Sequence, residues 1–141
     1  ADDILFKNQR LNKDEYEEIK KHPLKSAHIL SAVSMFQNVV PVVKSHHERI
    51  DGNGYPDGLK GDKIPYLARI LSVVDAFDAM TSNRIYRTRL SINQTIDQLI
   101  LGKGTQFDEK VVDAFIKLLD DYESMHAYLE DTYNLSVPAA E

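Results

Sequence analysis

Cysteine is absent from all 141 positions of the chain, which excludes disulfides, thiolate metal sites and cysteine nucleophiles together. Any metal must then be held through nitrogen and oxygen, by His, Asp or Glu, a donor set that suits Fe, Mn, Mg or Zn. A strong excess of positive charge is also lacking. The formal balance is −5 at pH 7, too acidic for a broad electrostatic grip on a nucleic-acid polymer. No apolar run approaches the roughly 20 residues needed to cross a bilayer, and the start Ala-Asp-Asp-Ile has neither the basic nor the apolar stretch of a signal peptide. These absences predict a cytoplasmic domain without membrane insertion, large enough to bury about two-thirds of its unfolded surface. Internal repeats and low-complexity tracts are missing too.

What is present is helical periodicity, and no stretch alternates cleanly enough for a strand. Asn12 followed by Glu15 is a capping-box start for a helix through Tyr16 and Ile19 to His22, where Pro23 cuts in. Pro23 then opens a second helix, Leu24 to about Val33, and Pro41 stands near the front of a third that carries Val39, Val40 and Val43 into His46 and His47. Tyr66 to about Ser82, with Leu67, Ile70, Leu71, Val74 and Phe77 at helical spacing, reads as the central helix. Ser91 with Gln94 caps the next, which ends near Leu101 before Gly102 and Gly104. Asp108 caps a helix carrying Val111, Val112, Phe115, Leu118 and Leu119, and a separate polar helix is expected around Ser124 to Asn134. The expected fold is an all-α helical bundle.

The most informative run is His-His-Glu-Arg-Ile-Asp-Gly-Asn-Gly-Tyr-Pro from position 46. Adjacent residues on a helix point about 100° apart, so His46 and His47 are expected to diverge, as two metal ions would want. The plain alternative is one buried, hydrogen-bonded histidine beside a solvated one. From Asp51 to Pro65, four glycines and two prolines in fifteen positions rule out a regular element. An ordered, shaped loop is expected there, with glycines allowing close backbone approach to a ligand.

Four candidate ligands stand on or beside helices with apolar neighbours: His22, His46, His47 and Asp75. Such a mixed set can converge inside a bundle and suits Fe or Mn better than a structural zinc. Asp75 follows Val73 and Val74, and a carboxylate so near a buried stripe is expected to need a partner. Asp78, three residues on, shares its face. Arg84 and Arg87, with Arg89 beyond, could grip phosphate oxygens as paired guanidinium forks or serve as a solvated basic turn. Tyr55 could stack on a base or staple its own loop.

These residues in this order resemble the HD-GYP family of bacterial cyclic di-GMP phosphodiesterases, over roughly Asp3 to Phe115. The motifs are Lys-His-Pro at 21 to 23, His-His-Glu-Arg at 46 to 49, Asp-Gly-Asn-Gly-Tyr-Pro at 51 to 56, Gly-Leu-Lys-Gly at 58 to 61 and Ile-Pro at 64 to 65. They continue with Ala-Arg-Ile at 68 to 70, Asp-Ala-Phe-Asp-Ala-Met-Thr at 75 to 81, Arg-Ile-Tyr-Arg at 84 to 87 and Gly-Thr-Gln-Phe-Asp at 104 to 108.

The resemblance implies a helical bundle of the HD-domain type with a long Gly/Pro-rich GYP loop. It implies that His22, His46, His47 and Asp75 are metal ligands in a centre of two or three divalent ions, commonly iron or manganese. Tyr55, Arg84 and Arg87 match positions that hold the dinucleotide, cyclic di-GMP, whose hydrolysis gives linear pGpG or GMP. Arg49 and Asp51 are expected to form a loop-bracing ion pair, and Asp78 to accept a hydrogen bond behind the ligands. Beyond the metal ligands no catalytic residue is assigned, because the family's His-Asp dyad has no counterpart here. Asp2-Asp3 has no histidine before it. Residues 1–122 are therefore expected to be the C-terminal part of such a domain with its N-terminal helices missing, and 123–141 a C-terminal helix and tail. The metal site is then expected to be incomplete or empty and hydrolysis impaired. An upstream sensor or receiver domain and a diguanylate cyclase are the expected protein partners. The other reading is a non-catalytic module that binds cyclic di-GMP or a diguanylate cyclase.

Overall fold

The computed structural model describes residues 12–82 and 89–133, with side chains described as far as Tyr122. Among these residues the chain is helical, with one isolated bridge between Lys103 and Phe107 and no strand. The helices are α1 (Lys13–Ile19), α2 (His22–Ser31), α3 (Val40–Lys44), α4 (Tyr66–Thr81), α5 (Ile92–Leu101) and α6 (Glu109–Tyr133), with single 3-10 turns at Ser34–Phe36 and Gly61–Lys63. No described helix is long and apolar enough to cross a membrane.

Local chemistry sets most boundaries. The capping box that opens α1 is complete: Asn12 Oδ1 accepts from the Glu15 N–H and the Asn12 N–H donates to Glu15 Oε2, both at 2.8 Å. Ser91 and Gln94 do the same for α5. Pro23 lies in the first turn of α2, where its missing N–H costs nothing. His22 thereby sits on the corner between α1 and α2.

The core lies among the last three helices. Val73 of α4, Leu99 of α5, Phe107 just before α6, and Val111 and Val112 in its first turn are buried together, with Ile70, Phe77, Met80 and Phe115 packed against them. The core-facing row of α4 is therefore 70, 73, 77 and 80, which keeps Ile70 and Phe77 of the expected stripe but not Leu67 or Val74. Leu67 and Val74 are 60% and 42% exposed. Two further expectations need correction. The third helix stops at Lys44, so His46 and His47 lie in the turn beyond it. And α6 runs without interruption to Tyr133, there being no Gly or Pro between Leu119 and Ser124 to break it.

The segment from Ser45 to Pro65 leaves α3 and crosses onto this core. The Asp51 N–H donates to Thr105 O at 2.9 Å and the Gly61 N–H to Ile50 O at 3.1 Å, while Ile64 is 1% exposed. Arg69 of α4 donates to Asp108 at 2.8 Å, and Asp108 also accepts from the Lys110 N–H at 2.9 Å, so one carboxylate caps α6 and ties it to α4. Burial pushes the Asp108 carboxyl upward. The bonds from Arg69 and from the two backbone N–H groups outweigh that and hold it below the usual carboxylate range.

Candidate metal centre

Three histidines converge. His22 arrives from the α1–α2 corner, His46 and His47 from the turn after α3, and one ring nitrogen of each lies within 4.8 Å of the others. His22 Nε2 stands 3.1 Å from His47 Nε2 and 3.4 Å from His46 Nε2. The rings of His46 and His47 have centres 4.0 Å apart and are tilted by 39°. They do not diverge as adjacent helical residues would, because the helix has already ended.

The orientation of two rings follows from helix ends. A helix leaves its last carbonyls without intrahelical partners. His22 Nδ1 donates to Ile19 O, the last residue of α1, at 2.7 Å, and His46 Nδ1 donates to Val43 O, in the last turn of α3, at 2.6 Å. Each histidine thus satisfies a carbonyl three residues earlier. A carbonyl can only accept, so each Nδ1 carries the hydrogen and each Nε2 lone pair is turned inward. Two lone pairs facing across 3.4 Å repel unless a cation lies between them. Nitrogens that share one ion at about 2.1 Å stand roughly 3 to 4 Å apart, which matches the two separations from His22. The residues fit a divalent metal. His47 is lowered to about 4 by burial first and then by the neighbouring His46 and His22, with Asp75 opposing; its ring is neutral at pH 7, the form that ligates.

The loop that follows is held by its own polar groups. Glu48 is 3% exposed, and its carboxylate accepts from the Asp57 N–H at 2.7 Å and the Leu59 N–H at 2.9 Å. Arg49 and Asp51 form a two-pronged ion pair, Nε to Oδ1 at 3.1 Å and Nη2 to Oδ2 at 2.7 Å. It raises the guanidinium and holds the Asp51 carboxyl well below its usual range. Gly54 lies flat on the backbone of Glu48 and Arg49, and a Cβ there would overlap Arg49 N and Glu48 Cα. The Tyr55 N–H donates to His47 O at 3.2 Å, and the Tyr55 ring lies 4.9 Å from the His47 ring. Burial first, then Tyr16 and Asp75, push the Tyr55 phenol up to about 12. Beside His47 and Tyr55 opens a cleft of about 310 Å³, whose walls include Tyr16, Lys20, Arg49, Asn53 and Gln106.

Asp75 is exposed and stands outside the converging nitrogens, although its charge reaches both His47 and Tyr55. Its exposure removes the desolvation for which a partner was expected. It lies off the core-facing row of α4. Asp78 stands at the end of α4, where its carboxylate accepts from Ser82 Oγ at 3.4 Å. Arg84 and Arg87 lie outside the described residues, as do residues 1–11, which include the Asp2-Asp3 pair. Sequence reasoning missed Glu48. Glu48 stood inside the His-His-Glu-Arg run, where a carboxylate entering a glycine-rich loop was the available signal.

Comparison with known proteins follows the same residues. The family profile described as HD domain matches residues 3–111. The chain belongs to the HD-domain family, and the likeness to its HD-GYP branch read from the motifs holds. It is 36% identical over 123 residues to a probable cyclic di-GMP phosphodiesterase of Vibrio cholerae serotype O1, covering 82% of this chain and 28% of the relative. It is 37% identical over 119 residues to a cyclic di-GMP phosphodiesterase of Thermotoga maritima, covering 83% and 32%. A 3'3'-cGAMP-specific phosphodiesterase of Vibrio cholerae is 33% identical over 132 residues, covering 92% and 25%. The chain thus spans between a quarter and a third of the length of these relatives. Among solved structures, an HDG"Y"P protein of Bdellovibrio bacteriovorus superimposes with a TM-score of 0.64 at 20% identity, covering 83% of this chain and 37% of the other. That likeness is one of fold.

Proposed function

We propose that this chain forms part of a metal-dependent phosphodiesterase that hydrolyses cyclic di-GMP to pGpG or GMP in bacterial second-messenger signalling. The observation that carries the reading is the inward convergence of three histidine nitrogens, two of them with their tautomer fixed by backbone carbonyls. His22, His46 and His47 are the proposed ligands, with Asp75 as a carboxylate ligand, in a centre of two or three iron or manganese ions. When bound, the metal would acidify an attacking water and draw charge from the phosphoryl oxygens.

The chain's own residues would do the positioning. Tyr55, in ring contact with His47 and held by its backbone bond to the same residue, would seat the dinucleotide against the ligands. The Arg49–Asp51 pair and the Glu48 carboxylate would keep the loop closed on that face. Arg84 and Arg87 are assigned to phosphate binding, and Asp78 to support of the ligands, from the motif alone. A cytoplasmic setting, an upstream sensor or receiver domain and a diguanylate cyclase partner belong to the same proposal.

A second reading is a non-catalytic module that binds cyclic di-GMP or a diguanylate cyclase. Asp75 favours it by standing outside the converging set. One assay separates the two: turnover of cyclic di-GMP, and of 3'3'-cGAMP, by the full protein before and after chelation. The enzymatic reading expects hydrolysis that chelation abolishes and added Mn or Fe restores. Tight cyclic di-GMP binding without turnover at any metal load would leave the second reading standing and remove the first.

A further inference from the structure

Lys20, just past the end of α1, has no role in the site as described. Its Nζ lies 5.0 Å from the centre of the Tyr16 ring and 5.9 Å from that of Tyr55, so one ammonium is held against two aromatic faces. The Tyr55 ring lies 4.9 Å from that of His47, tilted by 31°. The ring that this cation approaches is therefore itself in contact with the histidine cluster. Unlike a lysine extended into solvent, its side chain is only 30% exposed.

The charges around the cleft single it out. Among the described lining residues the ionic groups are Lys20, Arg49 and Glu48. Both Glu48 oxygens already accept from the loop backbone. Arg49 is committed to Asp51 and Gln106. Lys20 has three donors, and the side chain it bonds is Glu17 at 2.8 Å, itself 53% exposed. A surface ion pair of this kind is weak and easily exchanged for another anion. In a chain of net charge −5, a cation lodged between rings on the wall of this cleft points to an anionic ligand group.

A cyclic dinucleotide carries two phosphodiesters, and only one can lie at the histidines. The other remains an anion inside the cleft and needs a counter-charge when water is displaced. Resting on the phosphodiesterase reading, we propose that Lys20, backed by Tyr16 and Tyr55, binds the phosphate that is not being cleaved, and so selects dinucleotides over simple phosphodiesters.

The test compares cyclic di-GMP with bis(4-nitrophenyl) phosphate, a diester with a single phosphate, in the full protein. Lys20→Met is expected to raise KM for cyclic di-GMP about tenfold or more, with kcat, metal content and turnover of the nitrophenyl ester near wild type. Lys20→Arg should recover most of the loss. An unchanged KM in Lys20→Met, while the wild type hydrolyses cyclic di-GMP, overturns the Lys20 assignment and leaves the phosphodiesterase reading intact. An equal loss on both substrates overturns it too, as general damage to the site. If the wild type hydrolyses neither substrate, the phosphodiesterase reading falls and this assignment with it.

Discussion

The two halves of the molecule are held by different forces. Around α4, α5 and α6 the buried groups are nearly all apolar, from Val73 and Leu99 to Val112. Around the histidines, α1 and α3 bury no residue and α2 only Pro23 and Ala27, and the buried groups beside them include the polar Ser45 and Glu48. There, position is fixed by hydrogen bonds: ring nitrogens on helix-end carbonyls, a carboxylate on loop N–H groups, and a guanidinium on Asp51. Apolar burial is non-directional and supplies stability, whereas a metal site needs direction. The division of labour means that the site can be broken without unfolding the core, and the core weakened without rearranging the site.

The largest effect is expected in the apolar half. Leu99→Ala, at a fully buried position, should cost about 2–5 kcal/mol, read as a fall in urea midpoint. Bound metal per folded molecule should stay unchanged. Loss of metal from the folded fraction would show that the halves are coupled after all.

Glu48→Ala comes next. It leaves two loop N–H groups without their acceptor and should cost about 1–3 kcal/mol. Its sharper signature is local: hydrogen exchange at Asp57 and Leu59 should accelerate while amides of α5 and α6 stay protected. Uniform acceleration across both halves would argue against a loop-specific role.

Smaller still is the tie between α4 and α6. Because the Asp108 carboxyl is held below its unfolded value, its contribution is fully present above the ordinary aspartate range near pH 4 and is lost as pH falls through the lowered folded value. Asp108→Asn should therefore lower Tm at pH 7, by an amount corresponding to about 1 kcal/mol. The gap to wild type should close in acid. A gap independent of pH would mean that the carboxylate charge is not what matters.

The same division explains what could be read in advance. Caps are local, so Asn12 with Glu15 and Ser91 with Gln94 announced their helices directly. The existence of α4 was legible, but its phase was not: whether Val73 or Val74 faces inward depends on where α5 and α6 lie, and that information is spread along the chain. The histidines were legible as residue types and motifs. Their convergence was not, because His22 and His46 are far apart in sequence and meet only when two helices end in the right places. The carbonyl three residues before each ring could have been suspected once those ends were known. Expecting His46 and His47 to splay assumed a helix that stops at Lys44.

The central claim is that His22, His46 and His47 together hold metal. Metal content of the purified full protein, measured for the wild type and for His22→Ala, His46→Ala and His47→Ala, tests it most directly. Each variant is expected to lose bound metal, with affinity falling at least about tenfold, while far-UV circular dichroism stays that of the folded protein. Wild-type metal content in all three would contradict the account.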